Sequence, residues 1–167
     1  VHPLPVAQPS MEEVCVNSQV VIDGNPSLGT APYTAHAWVD LGTGTASGYS
    51  LVNANTQLLT LDATGATAGT VNLQYTVTDQ NGCTDVATTS VLIHPLPIPN
   101  PQDDMLCVGA VLTVDGSPTG GTPVYISHQW TDLGTGTASG YNLADTDMQI
   151  VIVDASGATD CLLYTSP

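Results

Sequence analysis

The feature that most constrains this chain is a repeat without a gap. Asp40-Leu41-Gly42-Thr43-Gly44-Thr45-Ala46-Ser47-Gly48-Tyr49 returns letter for letter as Asp132-Leu133-Gly134-Thr135-Gly136-Thr137-Ala138-Ser139-Gly140-Tyr141, 92 residues on. The same offset carries His2-Pro3-Leu4-Pro5 onto His94-Pro95-Leu96-Pro97, Cys15 onto Cys107, and Trp38 onto Trp130. A repeat this long can bury its own core, so each copy reads as a separate domain rather than a solenoid layer. The boundaries expected are 1–93 and 94–167, the second copy lacking its last hairpin. Both copies open on a Pro-rich stretch, which makes a stiff joint rather than a Gly/Ser linker.

Charge narrows the function classes. Lys plus Arg is zero and Asp plus Glu is 15, a formal net charge of −15 over 167 residues. A chain without cations has no usual route to nucleic acid, which requires neutralised phosphates, and none to anionic membrane surfaces. Salt bridges are restricted to a charged His or the terminal amine, so stability must come from apolar burial, β-ladder hydrogen bonds and cross-links. The acidity reads as a solvated surface, with bound calcium the alternative. No run approaches the length of a membrane-spanning helix. Val1-His2-Pro3-Leu4-Pro5 has neither the charged start nor the apolar core of a signal peptide, so the reading is a mature or internal stretch.

Taken in order, residues 1–10 read as a polyproline-like edge strand or linker. Val14 to Asp23 is dense in Val and Ile and ends in the turn signal Asp23-Gly24-Asn25-Pro26. Tyr33 to Asp40 reads as a strand with Trp38 toward the core. Gly42 to Gly48 is a loop or bulged edge, and Thr56 to Asp62 is a strand followed by a turn over Ala63 to Ala66. Thr70 to Asp79 alternates cleanly, with Val71, Leu73, Tyr75 and Val77 on one face. Gln80-Asn81-Gly82 is a hairpin signal because Asn-Gly takes positive φ readily, and Thr84 to Ile93 closes that hairpin. No segment has helical periodicity. Short strands and regular turns in a unit near 90 residues predict an all-β, antiparallel sandwich.

The run Tyr75-Thr76-Val77-Thr78-Asp79-Gln80-Asn81-Gly82-Cys83-Thr84, followed by Val91-Leu92-Ile93-His94-Pro95-Leu96-Pro97, resembles the end of a PKD-like, immunoglobulin-like repeat. Such repeats stand in tandem in large secreted bacterial surface proteins. Tyr33 to Trp38 is similar to that family's approach to its strand Trp. The resemblance covers the first copy and two-thirds of the second. It implies an extracellular β-sandwich used as spacer, stalk, adhesin or filament subunit, with no catalytic residues to carry over. Cys15 and Cys83, with Trp38 between them, resemble the immunoglobulin cysteine pattern. The pattern implies a disulfide pinning one end of the sandwich, which would stabilise by about 4 kcal/mol on the chain-entropy account. The alternative is two buried free thiols. No second Cys or His lies at zinc-ligand spacing.

Little in the sequence points to catalysis. His2, His36, His94 and His128 are repeat pairs, and a repeated position suits structure better than a unique active centre. Asp103-Asp104 and Asp145-Thr146-Asp147 are candidate calcium ligands outside EF-hand spacing. Gly42-Thr43-Gly44 lacks the Lys of a P-loop. No nucleophile–base arrangement is visible, so the chain is read as non-enzymatic and cofactor-free. Gly42, Thr43, Gly44 and Tyr49, with Gly134, Thr135, Gly136 and Tyr141, form the candidate binding loops. Ser and Thr residues leave O-linked glycans open. Two readings follow: a structural unit of an extracellular filament or stalk, and an adhesin that uses those loops on glycans or surfaces.

The repeat breaks at the end. Asp154 to Thr159 matches Asp62 to Thr67, and then Cys161-Leu162-Leu163-Tyr164-Thr165-Ser166-Pro167 follows instead of the expected strand. This heptapeptide resembles the translation of a transposase adapter used in sequencing libraries, and the reading expects it to be foreign to the natural chain. The partner of Cys107 is then expected beyond residue 167; if the tail is native, Cys161 is the alternative. The missing hairpin is expected to expose strand edges. A neighbouring copy is expected as partner through strand addition, with residues 1–10 as a donor weakened by its prolines.

Overall fold

The computed structural model describes residues 2–164, the side chains of Leu163 and Tyr164 excepted. The described residues are all-β, with 16 strands among them. Two compact units are present, Val1–Leu96 and Pro97–Pro167.

Unit 1 is a sandwich of two sheets. One contains β2 (Glu12–Cys15), β9 (Thr84–His94), β8 (Gly69–Thr78) and β5 (Ala35–Asp40), in that order; the other contains β3 (Gln19–Asp23), β7 (Leu58–Asp62) and β6 (Ser50–Val52). A short ladder joins β1 (Pro5–Val6) to β4 (Ser27–Leu28). The ladders are antiparallel except for β2 against β9, which runs parallel with Cys15 opposite His94.

Period-2 patterning places the core where the sequence predicts it. Val71, Leu73, Tyr75 and Val77 of β8 are all buried, and they meet Leu59 and Leu61 of β7 and Val91 and Ile93 of β9. At about 25 cal/mol per Å² of apolar surface removed from water, this two-sheet burial is the main stabilising term. The β8–β9 turn carries Gly82 at φ 79°, as the Asn-Gly signal requires.

Two local readings are corrected. Val14 to Asp23 is not one strand: Asn17 at φ 65° turns the chain, and the Ser18 amide donates to the Cys15 carbonyl at 3.1 Å. A tight turn without Gly or Pro leaves no strong signal in a Val-rich run, and Asn tolerates the left-handed region. The strand β6 was not read from the sequence; Ser50–Val52 is too short to show alternation.

Unit 2 repeats this pattern and then stops. β10 (Pro97–Ile98) pairs with β13 (Thr119–Gly120), and β12 (Val111–Asp115), β15 (Ile150–Asp154) and β14 (Asn142–Ala144) rebuild the second sheet. Its buried residues Leu106, Val114, Val151, Val153, Ala155 and Ala158 are the 92-residue counterparts of Val14, Ile22, Leu59, Leu61, Ala63 and Ala66. The opposite sheet is reduced to β11 (Asp104–Leu106) paired antiparallel with β16 (Leu162–Tyr164).

Candidate functional site

The Gly-Thr loop follows β5 directly. In unit 1 it is strapped along the edge of β8. The Thr45 and Ala46 amides both donate to the Thr70 carbonyl, at 2.9 and 3.1 Å, and Leu41 donates to Asn72 at 2.9 Å. The Asn72 side-chain amide donates to the Thr43 hydroxyl at 3.0 Å. A Cβ on Gly44 would stand 2.2 Å from the Thr70 carbonyl oxygen, so only glycine allows this approach. Asp40 organises the base of the loop, accepting from the Gly42 amide at 2.9 Å and from the Tyr49 hydroxyl at 2.5 Å. Burial first, then the Asp40 hydrogen bond, push the Tyr49 pKa up to about 12. The Tyr49 ring packs on the core. The loop's polar groups are therefore turned inward to bonds with its own sheet.

Unit 2 keeps the base of the loop and loses the strap. Asp132 accepts from the Gly134 amide at 2.8 Å and from the Tyr141 hydroxyl. Gly136, the counterpart of Gly44, has nothing within 4 Å of where its Cβ would stand. Without a β8 there, residues 127–132 are not a strand. An open cavity of about 850 Å³ takes the missing hairpin's place, lined among others by Leu106, Trp130, Thr135, Gly136, Tyr141 and Val153.

Two of the histidines, His36 and His94, have named partners within unit 1. His36 is stacked on Tyr75 at 6.0 Å between centroids and hydrogen-bonded to its hydroxyl at 2.6 Å. Burial lowers the His36 pKa, with Asp23 opposing, and burial also pushes Tyr75 up to about 12. Trp38 packs on Tyr75 at 4.5 Å and donates its indole N–H to the Thr56 carbonyl at 3.0 Å. Trp130 makes the equivalent bond to Met148 at 2.8 Å. His94 meets Glu13 at 2.9 Å.

The cysteines overturn the expected intradomain disulfide. Cys15 lies opposite His94, the last residue of β9, whereas Cys83 immediately precedes the first residue of that strand. At about 3.3 Å per residue, the 11 steps from Cys83 to His94 put the two thiols roughly 35 Å apart. A disulfide needs Cα atoms about 4.4–6.8 Å apart. The two cysteines occupy opposite ends of the sandwich and are free, Cys15 exposed and Cys83 half-buried. The cause is the register of β2, which lies beside Val91–His94 at the far end of β9. In unit 2, Cys107 stands next to Cys161, both free; a hydrogen bond with Cys161, followed by its charge, pushes the Cys107 thiol up.

Asp79, which the sequence did not single out, anchors the N-terminal end of unit 1. It is fully buried and accepts from the amides of Cys83 and Asn81 at 2.9 Å and of Thr30 at 3.0 Å. Burial alone would raise its pKa; these three donors and the charge of His2 hold it below the ordinary carboxylate value. Its place in the hairpin run Thr78-Asp79-Gln80-Asn81-Gly82 was the available signal, since Asp before such a turn caps backbone amides. Asp103, Asp104, Asp145 and Asp147 belong to unit 2. Among the described residues, no group of three or more His, Cys, Asp or Glu is placed to hold a metal ion.

No protein family profile matches the chain, and no curated protein does. Solved structures do. The N-terminal eight Ig domains of Down Syndrome Cell Adhesion Molecule align over 98% of this chain and 27% of theirs, at 15% identity and a TM-score of 0.58. The PKD domain from KIAA 1837 protein aligns over 57% of this chain and 90% of its own, at 21% identity and a TM-score of 0.46. A nucleoside hydrolase-related hypothetical protein from Saccharophagus degradans aligns over 56% of this chain and 26% of its own, at 17% identity and a TM-score of 0.44. The chain thus spans about a quarter of the first and third of these structures. The fold is an immunoglobulin-like β-sandwich, a type common among extracellular modules.

Proposed function

We propose, from an immunoglobulin-like sandwich repeated without a gap, that this chain is a non-catalytic structural segment of an extracellular filament or stalk at a cell surface. The observation that carries the reading is the path of the chain through unit 1. The Ala7 amide donates to Asp85 at the start of β9 at 2.9 Å, and β9 ends at His94. The chain therefore comes in at one end of the sandwich and leaves at the other. The joint motif His2-Pro3-Leu4-Pro5 stands at the first end and recurs as His94-Pro95-Leu96-Pro97 at the second. Entry and exit at opposite ends are what a domain repeated in tandem along one chain requires.

The loop geometry supports a scaffold over a ligand site, because the Tyr49 hydroxyl and the Thr43 hydroxyl are engaged within the unit. The partner on this reading is a further copy of the same domain. The open face of unit 2 fits a hairpin of the β8–β9 type, which covers the same face in unit 1. Pro5–Val6 are already paired with Ser27–Leu28, so a donor would come from such a hairpin and not from residues 1–10.

Electron microscopy of the native material tests the reading. Unbranched fibres with beads spaced on the order of 40 Å, the length of an 11-residue strand plus its joint, are the expected result. Dispersed compact particles, or short stalks tipped by a different domain, would overturn the filament reading.

A further inference from the structure

Part of the surface of unit 1 carries no charge, on a chain whose net charge is −15. We propose that this part, the outward rows of β5, β8 and β9, docks the same rows of a second copy of the chain, sheet against sheet. The inference goes beyond the end-to-end array proposed above, because it concerns contact side by side.

The observations lie in the side chains that point away from the core. Along β8, buried residues alternate with half-buried ones, and the outward positions of β5 and β9 lie beside the latter. The registers align Ala37, Thr76 and Val86 in one row across the sheet, and Val39, Gln74 and Thr88 in the next. Val39 is 51% exposed and Val86 49%. The acids of these three strands are Asp40 and Asp85, and both have the opposite parity. Asp85 accepts from the Ala7 amide at 2.9 Å, and Asp40 accepts from the Tyr49 hydroxyl at 2.5 Å. On this side of the sheet the pair Glu13 and His94 stands away from these rows, at the far end of β9. The smaller sheet is built differently. Its row Gln19, Asp62 and Ser50 puts a carboxylate on the middle strand, bonded to the Gln19 side chain at 2.9 Å on the surface.

Charge selects the partner. With 15 acids and no Lys or Arg, two copies that meet through acidic surfaces meet as like charges, with no cation to offset them. The uncharged rows allow contact without that cost. A basic partner would be drawn to the acids instead, and its charge buried on these rows would find no counter-charge. The side chains also suit a flat contact. Ala has no rotamers to lose, and Val and Thr are stiff at χ1, so ordering them costs little. The patch is small. Three strands about 4.8 Å apart, each with about five residues at about 3.3 Å, cover on the order of 250 Å², against about 800 Å² per partner in a stable complex. A single contact is therefore weak and transient, and copies in tandem would add such contacts along their length.

Sedimentation equilibrium of the full chain, with reductant present, tests the proposal. The expected result is a weak monomer–dimer equilibrium that tightens as added salt screens the acids, the reverse of a dimer held by ion pairs. Thr76 is on the middle strand of the patch, so Thr76→Asp should weaken the dimer by at least about tenfold, as like charges are brought together. Thr76→Lys alone should weaken it as well. An equimolar mixture of the two variants should restore association, which a variant that had merely lost its fold could not do. Thr60→Asp, on the outward side of β7 in the other sheet, should leave the dimer unchanged. No association at any salt concentration would overturn the proposal and leave the face to a different partner or to none. Association that Thr76→Asp leaves intact, as docking through the cavity of unit 2 would, or a mixture no better than its parts would also overturn it. The measurement needs no fibres. Its failure leaves the end-to-end array standing, and compact particles in the microscope leave this association standing.

Discussion

Ala35-His36-Ala37-Trp38-Val39-Asp40 and Ser127-His128-Gln129-Trp130-Thr131-Asp132 share their His, Trp and Asp, and the ten residues beginning at each Asp are identical. The first segment is strand β5; the second is not a strand. What differs is the neighbour. Residues 35–40 pair with 73–78 of β8, and among the described residues of unit 2 no strand pairs with 127–132. Both tryptophans keep their indole bond to the turn that leads into β7 or β15, at 3.0 and 2.8 Å. The side-chain anchor is therefore local to the repeat, while the strand is conferred by its partner, as expected where β-propensity mostly measures the quality of the neighbours.

The largest effect should come from restoring the neighbour. Replacing residues 160–167 with a copy of residues 68–94 gives unit 2 its hairpin. Hydrogen exchange should then show the amides of 127–132 protected as those of 35–40 are, and the unit 2 unfolding transition should rise toward that of unit 1. Amides at 127–132 that still exchange freely would break the comparison and place the difference in Ser127, Gln129 and Thr131 themselves.

The tryptophans sharpen it next. Trp38 is 5% exposed and packs on Tyr75, so Trp38→Ala should cost about 3–5 kcal/mol in denaturant unfolding. Trp130 is half-buried beside an open cavity, so Trp130→Ala should cost less, on the order of 1–2 kcal/mol. Equal costs would mean that the face of unit 2 is covered in solution.

Much of this was legible in the sequence. The alternation of β8, the Asn-Gly turn and the inward Trp follow from period and turn chemistry, which act over a few residues. The ends of the sandwich were not legible. Cys15 and Cys83 fit an immunoglobulin-like spacing along the chain, but chain spacing does not say which part of β9 lies beside β2, and that register decides which end Cys15 reaches. The inward bonding of the Gly-Thr loop was hidden for a similar reason. Its strap is Thr70 and Asn72, residues of a strand 25 or more positions away.

That strap gives the third prediction. Gly44→Ala forces a Cβ to 2.2 Å from the Thr70 carbonyl and should destabilise unit 1 by about 1–3 kcal/mol. Gly136→Ala meets nothing within 4 Å and should leave unit 2 within about 0.5 kcal/mol of wild type. Two chemically identical substitutions in identical decapeptides would then differ only through the strand beside them. Equal effects would show that the loop binds something in unit 2 that replaces β8.

The smallest expected effect separates the units by pH. Asp62 and Asp79 in unit 1, and Asp115, Asp132 and Asp154 in unit 2, are held below the ordinary carboxylate value. A depressed carboxylate contributes stability above its unfolded pKa of about 3.9 and loses it as pH falls further, so both units should weaken below about pH 4. At the other extreme, Tyr49, Tyr75 and Tyr141 are all raised, so both units should weaken as pH climbs above about 10, the unfolded Tyr value. His36 alone breaks the symmetry. It is lowered by burial against Tyr75, near Tyr33, with Asp23 opposing, and the folded unit therefore favours its neutral form. Its contribution is complete above the unfolded value of about 6.5 and is lost as pH falls through the folded value below it. Between about pH 6.5 and pH 4, then, the unit 1 transition should decline as pH falls, and His36→Gln should flatten it. A slope in the unit 1 transition that His36→Gln leaves unchanged would break this account of the stacked His36–Tyr75 pair.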